Sequence, residues 1–272
     1  MRRAECMIRI DCLGLSEGPS DDGLSGSEQV RQAYDCLVRN GYAILDRLLP
    51  EATVAALQRA FAEHSNQLLN EAPEDEALEV GDRRNLFALP FSGAFADPSV
   101  WANPAVVALA RLALADEAVL ESYGVVVSLP GAERQHFHRD GPGLFDSAIS
   151  PLLPAHALTV AFPLLEMNET NGTTALWPGS HRWQKTDKDA PSFEPVVPPG
   201  SAMLWDFRTY HSGTANTSAL PRPLITATFA RRWYQDPVNF EQGSRRRLAL
   251  DDAFLAGVPA RTRSLFAHLS PG

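Results

Sequence analysis

VLESYGVVVSLPGAERQHFHRD, residues 119–140, is the stretch whose reading decides the fold. Its first part, Val119 to Leu129, is rich in β-branched side chains and ends at Pro130-Gly131, a turn signal, so it reads as a strand. Its last part, Gln135-His136-Phe137-His138-Arg139-Asp140, sets a histidine and an aspartate two residues apart. Alternate side chains of an extended chain share a face, so His138 and Asp140 can point together into a barrel. One neutral imidazole and one carboxylate fill two adjacent positions on a divalent metal. A second imidazole completes the facial set that suits Fe(II) and leaves the opposite face open. His136 shares the parity of His138, and a register error would exchange the two, but only His138 has an aspartate two residues on.

Further strands flank this one. Leu158 to Leu164, Ala202 to Asp206 and Leu224 to Arg231 are apolar runs separated by Gly, Pro, Asn and Asp clusters. Short strands between turn signals suggest an all-β sandwich or barrel. Upstream the periodicity changes. Ser25 and Glu28 have capping-box spacing, Val30, Tyr34, Leu37 and Val38 follow at helical intervals, and Asn40-Gly41 ends the helix. A strand is expected at Tyr42 to Leu45, a helix over about 51–70, an exposed acidic loop at 72–82 and a helix over about 104–116. The C-terminal 248–269 reads as helical. The expectation is a single domain, mainly β with flanking helices, with a jelly-roll core. It divides into a lead-in at 1–26, helical support at 27–116, the β core at 117–235 and a C-terminal helical segment at 236–272. Loops 72–100 and 141–157 are candidates for a substrate lid.

Bulk properties narrow the function classes. The chain has 272 residues, 44% hydrophobic, with a net charge of −9. An acidic surface disfavours nucleic acid and anionic membrane as partners, although Arg231, Arg232 and the Arg245 to Arg247 run could form a local basic patch. No run approaches the length needed to span a bilayer, and no signal-peptide pattern is present. The three cysteines, Cys6, Cys12 and Cys36, lie far from the candidate ligands and have no framework spacing, which fits a reducing cytoplasm.

The third ligand comes from the remaining histidines. His64 and His268 lie in helical segments outside the β core, His156 sits in a loop, and His181 follows the Pro178-Gly179-Ser180 turn, either as a polar group of a pocket or as a turn-capping surface residue. His211, just after the apolar strand 202–205, can face the same cavity. Eleven residues on, Arg222 opens the next strand. A 2-oxo acid chelating iron extends its far carboxylate away from the metal, and a guanidinium deep in a barrel can bind it by a fork-on-fork pair.

Three segments in order carry a resemblance. They are Gln135 to Asp140, Asn168 to His181 (NETNGTTALWPGSH), and Gly200 to His211 (GSAMLWDFRTYH) with Asn216 and Arg222 behind it. Over about 115–235 the chain resembles the phytanoyl-CoA dioxygenase family of Fe(II)/2-oxoglutarate oxygenases, and the NGYAIL stretch at 40–45 also fits. The resemblance implies a double-stranded β-helix, cupin-like core. It implies iron on His138, Asp140 and His211, the distal 2-oxoglutarate carboxylate on Arg222, and Gln135 and Thr173 as co-substrate neighbours. It also implies O2 as second co-substrate and a small-molecule substrate. Halogenating relatives replace the carboxylate ligand with a small residue, so Asp140 favours hydroxylation or a related oxidation. Two other readings stand beside this one: a non-catalytic β-barrel binding module with a remnant metal site, and a metal-dependent hydrolase or isomerase without 2-oxoglutarate. Arg222 discriminates between them.

Overall fold

The structure, a computed structural model, describes residues 9–15, 24–66, 69, 77–236 and 247–269. Among the described residues, ten strands form two sheets. The larger has eight strands in the order β1-β2-β8-β6-β10-β5-β4-β3, and the smaller pairs β7 with β9. The large sheet centres on β5 (Ala118–Ser128) and β10 (Arg222–Arg231), antiparallel, with β6 (Ala157–Pro163) on the far side of β10. β8 (Ala202–Asp206) and β2 (Tyr42–Asp46) continue one edge, capped by β1 (Arg9–Asp11) in parallel. β4 (Arg84–Ala88) and β3 (Ala77–Gly81) form the other edge.

Parity divides the large sheet. Val125, Val127, Ile225, Ala227 and Phe229 are buried in the main apolar core. That core includes Leu37 of α1 (Glu28–Asn40), Leu57 of α2 (Glu51–Asn66) and Leu109 of α4 (Pro104–Leu114). The residues between them, Val126, Leu224, Thr226 and Thr228, line a cavity on the opposite face. Period-two alternation thus makes one face a helix-backed core and the other a polar-studded concavity. The small sheet, β7 (Thr174–Leu176) and β9 (His211–Gly213), also contributes to this cavity.

Several boundaries differ from the sequence reading. The cap of α1 is Ser27, whose Oγ accepts from Val30 N–H at 3.3 Å. Ser25 falls in a preceding 3-10 turn, Leu24–Gly26, so the Ser25/Glu28 box does not form. Gly41 caps the C-terminus at φ 83, as the Asn40-Gly41 signal implied. A Cβ there would lie 2.5 Å from Thr209 Oγ1, so both conformation and space require glycine. The expected acidic loop ends in β3, which pairs with β4 because Leu78 and Leu86 stand opposite each other. The C-terminal segment contains one short helix, α5 (Asp252–Gly257), and a 3-10 turn at Arg263–Leu269. Cys6, most of the 15–26 lead-in, the tail of the 51–70 helix, residues 72–76 of the 72–82 loop, and Arg245 and Arg246 lie outside the described residues. Among the described residues, no helix is long and apolar enough to cross a membrane.

Candidate active site

His138 and His211 are brought together by the backbone. Their peptide groups exchange two hydrogen bonds, His138 N–H to His211 O at 3.1 Å and His211 N–H to His138 O at 2.8 Å. This extends the small sheet by one bridge and holds the two rings at a centroid distance of 4.3 Å. Asp140, two residues on, turns to the same side. His138, Asp140 and His211 each offer a ligating atom within 4.8 Å of the others.

The ligand atoms are oriented from behind. His138 Nδ1 lies 2.8 Å from His136 O, and His211 Nδ1 lies 3.0 Å from Thr209 O. A proton on each Nδ1 satisfies those carbonyls and leaves each Nε2 lone pair free for a metal. Asp140 Oδ2 accepts from Thr159 Oγ1 at 2.6 Å and from Trp205 Nε1 at 2.7 Å. Its Oδ1 is turned toward His211 Nε2, 3.2 Å away. One neutral-imidazole pair and one anchored carboxylate oxygen make a donor set that fits a divalent transition metal.

Electrostatics agree with that fit. Burial, helped by neighbouring His211, pushes His138 down to about 4, so its ring is neutral at physiological pH. Burial alone would raise Asp140, but the facing histidines and its hydrogen bonds hold it at about 2, ionised. Burial would lower His211, but the Asp140 charge outweighs it and raises the imidazole above its ordinary value. In the metal-free chain the Asp140 carboxylate therefore favours the protonated form of His211.

The cavity around this cluster, about 500 Å³, is lined by cationic as well as ligating groups. Arg222, at the start of β10, is 2% exposed. Its Nη1 meets Met167 Sδ at 3.1 Å, and its Nε has no hydrogen-bond partner. Burial and the nearby Arg84 depress it to about 10, so it stays charged. Among the described residues no carboxylate pairs with it, and a buried charge left without an anion is costly. Arg84 lines the same cavity, 1% exposed, and donates to the carbonyls of Glu133 and Thr214. Arg84 carries no local sequence signal of this role, since its position falls within the candidate lid loop 72–100.

Gln135 also lines the cavity, its amide held at both ends: Nε2 donates to Val80 O, and Oε1 accepts from Gly213 N–H at 2.8 Å. Thr173 is buried but differently engaged. Its hydroxyl donates to Pro195 O at 2.6 Å, and its N–H donates to Thr214 Oγ1 at 2.7 Å. The next residue, Thr174, lines the cavity. His181 is 2% exposed, with Nε2 3.2 Å from Val38 O, and lines a neighbouring cavity rather than capping a surface turn. His156 is likewise buried, ringed by Phe207 and Tyr234, while His64 is exposed. Asp206 and Arg208 form a buried ion pair at 2.6 Å.

The family described as Phytanoyl-CoA dioxygenase (PhyH) matches residues 37–224, more than two thirds of the chain. The chain belongs to the phytanoyl-CoA dioxygenase family. As a member it is an oxygenase-type enzyme that works with iron and 2-oxoglutarate. It is similar to the uncharacterised protein Rv1501 of Mycobacterium tuberculosis, 26% identical over 257 residues, covering 89% of this chain and 87% of the relative. It is also similar to the dioxygenase trt7 of Aspergillus terreus, 37% identical over 117 residues, covering 38% of this chain and 41% of that protein. Among solved structures, the epimerase SnoN in complex with Fe3+, alpha ketoglutarate and nogalamycin RO superposes with a TM-score of 0.59 at 18% identity. That match covers 82% of this chain and 96% of the other, and it bears on the fold alone.

Proposed function

We propose that this chain hydroxylates a small organic molecule, a secondary metabolite or biosynthetic intermediate, using Fe(II), 2-oxoglutarate and O2. His138, Asp140 and His211 would hold the iron, and Arg222 would bind the distal carboxylate of 2-oxoglutarate. The observation that carries this reading is a buried, anion-less guanidinium in the same cavity as three convergent metal-ligating atoms. A metal-dependent hydrolase of a neutral substrate would have no use for such a charge. Decay to a binding module would leave no reason to keep it beside an intact ligand set.

Bound iron and 2-oxoglutarate supply the oxidising power. The chain supplies position and dryness. Thr159 and Trp205 fix the Asp140 carboxylate so that one oxygen faces the metal. Arg222 presents a planar fork to the co-substrate, and Arg84 adds positive charge beside it. Gln135 and Thr174 border the co-substrate region, and Thr173 supports it one residue behind. Leu86, Val126, Leu224 and Phe207 give the cavity an apolar lining that excludes water. The dioxygenase name of the Aspergillus terreus relative supports an oxidative outcome.

The test is succinate release from protein supplied with Fe(II), ascorbate, 2-oxoglutarate and a substrate, with the product heavier by one oxygen atom. A product of unchanged mass would replace hydroxylation with epimerisation. Failure of 2-oxoglutarate to bind under any condition, or full activity and cofactor affinity in Arg222→Ala, would sink the reading.

A further inference from the structure

A second cavity, of about 590 Å³, lies beside the first, and Arg139 lines both. The loop following Asp140 and the turn after Gly179 form much of its wall, through Phe145, Ser147, Trp183 and Thr186. Arg139 sits between two of the candidate metal ligands in sequence. Chain alternation sends His138 and Asp140 toward the metal site and Arg139 toward Tyr210, whose ring lies 4.2 Å from the guanidinium carbon. The same ring stacks on Phe137 at 4.1 Å, and its hydroxyl is 2.8 Å from Thr186 Oγ1. The guanidinium is therefore held in place by an aromatic face while its donors remain free.

Among the described residues no acceptor takes up those donors. Among the described residues Arg139 makes no ion pair, and its Nε is shielded from solvent without a hydrogen-bond partner. Asp146 lines the same cavity but does not pair with it. The other cation there, Arg208, is fully engaged. It donates to Asp206 at 2.6 and 2.8 Å and to Leu153 O at 2.6 Å. One guanidinium in this cavity is thus positioned, partly desolvated and unspent. Such a group is matched by an oxyanion that brings its own acceptors.

Resting on the metal-site reading above, we propose that the substrate is an elongated molecule carrying an anionic oxygen group, a carboxylate or a phosphate. Its reacting end enters the metal cavity, and its anionic end occupies the second cavity on Arg139. The apolar parts of the wall, Phe145 and Trp183, fit a partly apolar body between those ends. Arg139 is then a specificity-determining residue.

The probes are biphenyl-4-carboxylate, biphenyl-4-yl phosphate and methyl biphenyl-4-carboxylate, titrated calorimetrically into protein holding Mn(II) and saturating 2-oxoglutarate without oxygen. The expected result is that an anionic probe binds at least about 30-fold tighter than the ester, the scale of a charge pair shielded from water. Whichever anion binds tighter names the source. Arg139→Leu should erase the preference, and Arg139→Lys should keep part of it. Equal binding of acids and ester, no binding of either acid at millimolar concentration, or an unchanged preference in a folded Arg139→Leu protein would overturn the proposal. So would displacement of 2-oxoglutarate by the acids. Because 2-oxoglutarate binding is measured separately in the native protein, its failure would count against the metal-site reading and not against this one.

Discussion

Arg84 and Arg222 are both register partners of Ser128, one from each side of the strand that carries it. Residues directly opposite in a sheet share a face, so the three form one row across the cavity wall. The row concentrates two buried positive charges where the sheet meets the metal cluster. The two arginines differ in how they are held. Arg84 is tied to two backbone carbonyls, and Arg222 to a thioether.

That difference predicts opposite effects on stability. Arg222→Met removes a buried charge with no protein anion, so the protein without co-substrate should lose no stability and gain up to about 1–3 kcal/mol. The same change should weaken 2-oxoglutarate binding by about 30-fold or more. Arg84→Met orphans the carbonyls of Glu133 and Thr214 and should cost about 1–3 kcal/mol. Denaturant titration of both variants, alongside calorimetric titration of 2-oxoglutarate, checks the pair. A destabilised Arg222→Met protein with normal co-substrate affinity would reverse the assignment.

The groups behind the ligands should matter almost as much as the ligands. His138→Ala and His211→Ala should each reduce succinate release to background. Trp205→Phe and Thr159→Val each remove one donor from Asp140 Oδ2 without touching a ligand atom. Each should lower metal affinity by about 10–100-fold. Titration with Co(II), followed by its visible absorption, measures this directly, and unchanged affinity in both variants would remove Asp140 from the metal.

Much of this arrangement was legible in the sequence, for reasons visible in particular residues. β5 and β10 announced themselves as long runs rich in β-branched and other apolar side chains. His138 and Asp140 could be paired from parity alone, and Arg222 from its place at the head of a strand. Thr173 and Thr174 show the limit. A shift of one residue turns a side chain to the other face, and only the pairing of Thr174 with Gly213 sets which threonine looks inward. β7 and β9 are three residues each, too short for a periodic signal. Arg84 was hidden because its strand depends on long-range pairing with β5. Nothing local reveals that the Trp205 indole N–H reaches a carboxylate 65 residues away.

Metal affinity should depend on pH through His211. Asp140 raises this imidazole above its ordinary value of about 6.5, so near neutrality a proton competes with the metal for Nε2. His138, at about 4, and Asp140, at about 2, add no such competition near neutrality. In the metal-free protein, the raised His211 contributes stability that is fully present below its unfolded-state value and is lost as pH rises through its folded value. Metal binding works in the opposite direction, since the ion takes the deprotonated ring and releases one proton. The increase in Tm on adding Mn(II) should therefore grow from about pH 6 to pH 8, with about one proton released per ion at the lower end. A stabilisation independent of pH would place His211 outside the metal site.

Asp206 and Arg208 test whether the turn before His211 is a structural support for the metal site. Burial would raise the Asp206 carboxyl, but the Arg208 guanidinium outweighs it and holds the group ionised. Asp206 also accepts the Arg208 N–H at 2.9 Å and, through its carbonyl, the Thr209 N–H at 2.7 Å. Thr209 O is in turn the partner of His211 Nδ1. Removing either charge leaves the other buried alone, so Arg208→Met or Asp206→Leu should each cost about 3–5 kcal/mol. Joint replacement removes both charges together and should recover a large part of that loss, with an interaction free energy of about 1–3 kcal/mol. Metal affinity behaves differently, because one of the bonds that shape the turn, from the Arg208 N–H, ends on the Asp206 carboxylate itself. The double variant should therefore regain stability without regaining tight metal binding. Recovery of both, measured by denaturant titration and Co(II) binding on the same samples, would show that the pair only fills space and that His211 is positioned by the β7–β9 sheet alone.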